Sequence, residues 1–207
     1  MKPWLDSSKT TEEIAKSLLG RLLVKETPEG TVSGWIVETE AYLGVIDEAA
    51  HSFNGKNTPR LKSMYEEAGT IYVYQMHTHQ MLNLVVKEEG NPEAVLIRGI
   101  EPLMGLELME TRRGKTGIEV SNGPGKLTKA FAINQTDDGS KIYEKPLYIA
   151  KEKRKIPVSI DVSPRIGIPN KGKWTEAPLR YSVAGNPYVS KRRGKIDGNN
   201  GWLENNR

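Results

Sequence analysis

The chain has 207 residues, with 30 Lys and Arg against 26 Asp and Glu, a formal net charge of +4 and no cysteine. No apolar run approaches the roughly 18 residues that a membrane-spanning helix needs, and the lack of cysteine excludes disulfides, thiol nucleophiles and thiolate metal sites. The length suits one domain with a sizeable core. Met1-Lys2-Pro3-Trp4-Leu5-Asp6 lacks the apolar segment of a secretory leader, so a cytoplasmic protein is expected, or a nuclear one in a eukaryote.

In chain order, Thr10 and Glu13 have capping-box spacing ahead of Ile14, Leu18 and Leu19, which predicts a helix ending at Gly20. Leu22-Leu23-Val24 and the run from Thr31 to Val37 flank Pro28-Glu29-Gly30, a hairpin signal. Period-2 alternation from Ile36 puts Glu38, Glu40 and Tyr42 on one face of the second strand, with Val37, Thr39 and Ala41 on the other. Acids beside an aromatic at the end of an apolar strand look like the rim of a pocket. Residues 44–60 read as a long polar loop ending at Thr58-Pro59, where proline opens a helix.

Three β-rich runs follow: Thr70 to Tyr74, Leu82 to Val86 and Ala94 to Arg98. Pro102 is expected to open an apolar-periodic helix through Leu103, Leu106, Leu108 and Met109. Asn122-Gly123-Pro124-Gly125-Lys126 leads into another through Leu127, Ala130 and Phe131. Short strands recur at Leu147 to Ile149, Val158 to Ile160 and Arg180 to Val183. The last dozen residues, rich in Gly and Asn, read as a loose tail from about residue 196. The pattern predicts a single α+β domain spanning 1–207, with a mixed, largely antiparallel sheet.

Charge is unevenly spread. Residues 1–150 carry 17 Lys and Arg against 21 Asp and Glu, whereas residues 151–207 carry 13 against 5. A net of −4 followed by +8 points to a polyanion, most simply a phosphate backbone, or else to a solvated basic face.

Four side chains stand out as chemistry: Glu40, Tyr42, His51 and Arg98. Arg98 closes the apolar run Val95-Leu96-Ile97, and a buried guanidinium needs an anion. Glu40 fits as a structural salt-bridge partner, or as a base that Arg98 keeps ionised in a dry pocket. Tyr72 and Tyr74 share a strand face, as a cross-strand core pair or as a stacking surface for a planar ligand. His77-Thr78-His79 with His51 are the three histidines and suggest chelation, but they carry no nearby acid. Asn122 to Lys126 offers backbone amides to a phosphate without the full nucleotide-loop spacing.

Eight collinear stretches together resemble the alkyladenine (3-methyladenine) DNA glycosylases. These are Gly20-Arg21-Leu22-Leu23-Val24, the run from Ile36 to Gly44, Asp47 to Ser52, Thr58-Pro59-Arg60, Gly69 to Tyr74, Leu96 to Pro102, Gly123 to Leu127 and Pro178-Leu179-Arg180-Tyr181. They span about residues 15 to 190. The resemblance implies a mixed domain with surrounding helices and a protruding β-hairpin. It would flip a damaged purine from duplex DNA and hydrolyse the N-glycosidic bond with water. The lesions would be 3-methyladenine and 7-methylguanine, with hypoxanthine and etheno-adenine as further candidates.

By position, Glu40 would be the general base and Arg98 would help hold the water. Tyr42, His51 and Tyr74 would wall the base pocket, with His51 also bonding the purine edge. Asn83 would restrict purines bearing an exocyclic amino group. The tip after Tyr74 is one residue shorter than the family pattern, so the residue that fills the vacated stack is Met76 or His77. Lys56, Arg60, Lys126 and Arg165 would contact phosphates. The resemblance implies a monomer acting on double-stranded DNA, with no cofactor, metal or membrane. Two other classes remain: a nucleic-acid-binding module without catalysis, and a metallohydrolase built on His51, His77 and His79.

Overall fold

Strand β2, Gly30–Tyr42, organises the molecule. In the computed structural model, which describes residues 5–204, it is 13 residues long and buried from Val32 to Ala41. β1 (Arg21–Thr27) pairs with its first half, from Thr27 opposite Gly30 to Leu22 opposite Trp35. β8 (Arg180–Val183) takes over the same edge further on, setting Glu38 against Ser182 and Glu40 against Arg180. β5 (Ala94–Met104) covers the other edge. β2 is therefore paired on both sides just where its two acids sit, which buries them.

β3 (Ile71–Met76) and β4 (His79–Val85) form a hairpin whose second strand pairs with β5. β6 (Leu147–Arg154) lies outside β1, and β7 (Ile160–Ser163) pairs with β8. The order is β3-β4-β5-β2-β1-β6 with β8 and β7 branching from β2, and these pairings are all antiparallel. Helices α1 (Thr11–Leu18), α2 (Leu106–Arg113), α3 (Pro124–Ala130) and α4 (Lys173–Glu176) complete the α+β fold that the sequence pattern predicts.

α1 carries the expected reciprocal capping box between Thr10 and Glu13. It buries Ile14, Ala15 and Leu18, and Thr39 Oγ1 donates to the Ala15 carbonyl at 3.0 Å, fastening the helix to β2. Among the described residues no helix is long and apolar enough to cross a membrane.

Several local expectations are corrected. Pro102 does not open a helix: β5 runs on to Met104, and α2 starts after Gly105 in the left-handed region (φ 77°). β4 pairs with β5 only at residues 94–96, so the proline's missing N–H removes no ladder bond on that side. Pro59 does open a helix, as predicted, but as a 3₁₀ helix to Tyr65, and the polar loop before it is folded into two further 3₁₀ turns. β7 begins two residues later than predicted.

The C-terminal segment is not loose where it is described. Trp202 is buried and donates Nε1 to Glu101 at 2.7 Å, and Lys155 sits 5.5 Å and 5.3 Å from the ring centres of Trp35 and Trp202. One buried indole with a satisfied N–H outweighs the flexibility of the glycines and asparagines around it. Residues 205–207 of the predicted tail lie outside the described residues.

Candidate active site

Two bulges aim the charged residues. Ile36 pairs with Ile100 and Glu38 with Gly99, leaving Val37 unmatched; Thr39 pairs with Ile97, leaving Arg98 unmatched on β5. Bulges re-aim side chains and are over-represented beside active sites. Along β5, Val95 and Ile97 join the core, while Ala94, Leu96 and Arg98 line a cavity.

Glu38 and Glu40 are both fully buried. Glu38 accepts from Arg98 Nε at 3.0 Å, Arg180 Nε at 2.7 Å, and the Ser190 N–H and hydroxyl at 2.7 and 2.8 Å. Glu40 is less completely bonded. It accepts from the Ile166 N–H at 2.8 Å and the Tyr42 hydroxyl at 3.0 Å, with Arg98 Nε at 3.3 Å. Burial pushes the Glu40 carboxyl above the usual range, opposed by Arg98 and the Ile166 amide and reinforced by Glu38.

Tyr42 is held neutral by burial and by Glu40, so its phenol acts as the donor. Because that hydrogen bond favours the carboxylate, Tyr42→Phe is expected to move Glu40 titration to higher pH, read from its side-chain carboxyl by ¹³C NMR. The ring that stacks on Arg165, 4.6 Å from the guanidinium carbon, is kept in that variant. An unchanged or lower titration point would contradict this assignment.

Arg165 was expected to touch phosphate, and here the structure overrules the sequence. It is buried and forms a two-pronged ion pair with Asp47 at 2.5 and 2.9 Å, both side chains having no exposure. Its partner lies 118 residues away, so its charge is internal. Arg165 also donates to the Ala41 carbonyl at 3.0 Å, which pins the segment that delivers the Ile166 amide to Glu40. Glu38 and Glu40 with Arg98 and Arg180, and beside them the Asp47–Arg165 pair, therefore set three acids against three arginines.

Beside these charges is a cavity of about 140 Å³, lined by Tyr42, His51, Tyr72, Tyr74, Asn83 and Arg98 among others. It is walled by aromatic rings and open on one side, which suits a planar heterocycle that extends past the enclosed volume. Tyr72 and Tyr74 stack at 5.6 Å, and His51 meets Tyr74 edge-on at 4.4 Å. Glu40 itself does not line the cavity; it sits immediately behind three residues that do, Tyr42, Arg98 and Ile166.

His51 Nδ1 lies 3.1 Å from the Tyr72 hydroxyl, and desolvation together with Lys56 lowers its pKa, so the imidazole is neutral at pH 7. Tyr74 is pushed up to about 12, mainly by burial. Asn83 is buried on β4, with Nδ2 donating to the Tyr72 and Met81 carbonyls at 3.2 Å each.

The small cavity opens onto a groove of about 1100 Å³ that shares His51, Tyr72, Tyr74 and Met76 with it and adds Lys56, Arg60, His77 and Lys171. Lys56 and Arg60 are exposed there. Lys126 is not free: it pairs with Glu119 at 2.6 Å and bonds Asn122 Oδ1 at 2.8 Å. The glycine beside it serves packing, since a Cβ on Gly125 would lie 2.7 Å from His79 and so would push α3 off the hairpin. Thr128 Oγ1 also bonds the Gln80 carbonyl at 2.8 Å, so α3 braces the hairpin. The hairpin tip is His77-Thr78, with His77 in the left-handed region (φ 54°), and residues 75–79 are exposed. Among the described residues no three His, Asp or Glu side chains are grouped to hold a metal ion.

The comparisons with known proteins converge on one family. The model of the methylpurine-DNA glycosylases matches residues 6–187. The chain belongs to the methylpurine-DNA glycosylase family. A protein of Enterococcus faecalis named "Putative 3-methyladenine DNA glycosylase" is 55% identical over 188 residues, covering 90% of this chain and 82% of the relative. One of the same name from Staphylococcus carnosus is 56% identical over 187 residues, covering 90% and 91%. A third, from Staphylococcus aureus, is 54% identical over 183 residues, covering 88% and 91%. Sequence reasoning missed the contacts of Asp47, Ile166 and Ser190 with the buried charges. Arg180 carried a signal in the Pro178 to Tyr181 motif, but its carboxylate partner did not show.

Proposed function

We propose that the protein excises methylated purines from double-stranded DNA by hydrolysing the N-glycosidic bond, leaving an abasic site. The observation that carries this reading is a buried carboxylate of raised pKa, Glu40, set directly behind the Tyr42, Arg98 and Ile166 wall of an aromatic-lined cavity. The target nucleotide turns out of the stack into that cavity, where Tyr42, Tyr74 and His51 enclose the base. Water reaches Glu40 as the Tyr42 phenol yields its place on Oε2. Glu40 takes a proton from the water as its oxygen bonds to C1′ of the sugar, and the C1′–N electron pair leaves with the purine.

A purine alkylated at a ring nitrogen is cationic and departs neutral, so it needs no acid. The neutral His51 can hydrogen-bond a base edge but brings no extra proton, which favours cationic lesions. The aromatic walls add cation–π attraction, on the order of 0.5–2 kcal/mol. Asn83, on the cavity wall, discriminates by what it can bond on the purine edge. Lys56, Arg60 and Lys171 line the neighbouring groove and hold phosphates, and Met76 or His77 at the exposed tip enters the gap left by the base. The protein acts as a monomer.

Incubation with chemically methylated duplex in the presence of EDTA, followed by chromatography of the released bases, tests the reading. Free 3-methyladenine or 7-methylguanine with unnicked strands is the expected result. Release that stops with chelator would favour a metallohydrolase, and binding without release a non-catalytic module.

A further inference from the structure

The sequence offers two acids on one strand face, and they are not equivalent. Glu38 has four donors within 3.0 Å, from Arg98, Arg180 and both the amide and hydroxyl of Ser190. It does not line the cavity, so it can act only through its neighbours.

Its effect on Arg98 is specific. Arg98 Nε lies between the two acids, 3.0 Å from Glu38 Oε1 and 3.3 Å from Glu40 Oε1, and Nη2 lies 3.4 Å from Ser190 Oγ. Nη1 makes no hydrogen bond among the described residues, and Arg98 is the cation that lines the cavity. A guanidinium facing a lone carboxylate closes on it with two parallel bonds. Here that closure is prevented, because the edge it would use is taken by Glu38 and Ser190. The Ser190 loop reaches Glu38 through Gly99: a Cβ there would lie 2.8 Å from the Tyr188 carbonyl and 3.3 Å from Glu38 Cβ.

We infer that Glu38 is a positioning residue. Held by Arg180 and Ser190, it diverts the Arg98 guanidinium edge from Glu40, leaving Glu40 an open base and Arg98 Nη1 a donor to the cavity. This rests on the reading of Glu40 as base. The groups facing Glu40 are Glu38 and Tyr42 from β2, Arg98 from β5, Arg180 from β8, Tyr74 from β3, and Arg165 across Tyr42. Removing the charge of Glu38 takes away a like charge and lets Arg98 close on Glu40. Both changes make Glu40 a weaker base.

The test is the pH profile of single-turnover base release from methylated duplex, run on the full-length wild type, Glu38→Gln, Arg180→Gln and Glu40→Gln. For Glu38→Gln the acid limb is expected to move to lower pH, with a plateau at least about ten-fold lower. Arg180→Gln leaves Glu38 in place and removes a cation, so its limb is expected to move to higher pH; it carries the test if Glu38→Gln does not fold. Limbs that stay at the wild-type position in both variants would overturn the role, whatever happens to stability. A limb that survives in Glu40→Gln would instead refute the base assignment.

Discussion

Glu40→Gln is expected to keep duplex binding and lose about 10²–10⁴-fold in single-turnover base release, the range typical of a positioned general base. The amide is nearly isosteric: its oxygen at the Oε1 place can still accept from the Ile166 N–H, and its NH₂ at the Oε2 place can donate to the Tyr42 hydroxyl oxygen once that hydroxyl turns its own proton away. The change therefore removes basicity more than shape. The fold should tolerate it. The folded-state pKa of Glu40 lies above the usual 4.5, so the folded state binds that proton more tightly than the unfolded chain. As pH rises through 4.5 toward the raised value, ionisation costs stability. The glutamine variant does not incur that cost, and its thermal midpoint at pH 7.5 is expected to be no lower than the wild type's. Release at the wild-type rate would remove Glu40 from the chemistry.

Asp47→Asn should act in the opposite way, chiefly on stability. Asp47 Oδ1 and Oδ2 receive Arg165 Nη2 and Nη1 at 2.9 and 2.5 Å and also cap the amides of Ala49 and Leu43 at 3.0 and 3.1 Å. Neither side chain of the pair has any exposed surface. An asparagine turns an NH₂ toward the guanidinium and leaves a buried cation uncompensated, a loss of about 3–5 kcal/mol. For a chain of this size that is a drop in thermal midpoint on the order of 10 °C. Base release should fall with it, since Arg165 adjoins the Ile166 amide on Glu40 and lies over the Tyr42 ring. A midpoint within a degree or two of wild type would show that the pair contributes little.

Local signals read well from sequence because they depend on neighbours. The Thr10–Glu13 capping box, the Pro28 turn and the β-rich runs of β3, β4 and β5 are written within a few residues each, and all are present. The shared face of Glu38, Glu40 and Tyr42 was equally legible from period two, and the structure joins the three through Arg98 and the Tyr42 hydroxyl. What escaped depends on distant partners. Arg165 lies in a basic stretch and looks like a phosphate ligand until Asp47 is set against it. The unmatched positions of Val37 and Arg98 leave no mark in composition, yet they decide where the guanidinium goes. Trp202 sits among glycines and asparagines that suggest disorder, and the burial of one indole reverses that.

The most direct test of Glu40 as the water-activating base is the pH dependence of single-turnover methylpurine release by the wild-type protein, over about pH 4 to 9, beside Glu40→Gln. Activity in the wild type should fall with acid through a limb lying above 4.5, the ordinary glutamate value, while the variant runs flat and at least about a hundred-fold lower. Superimposable profiles for the two proteins would contradict the account.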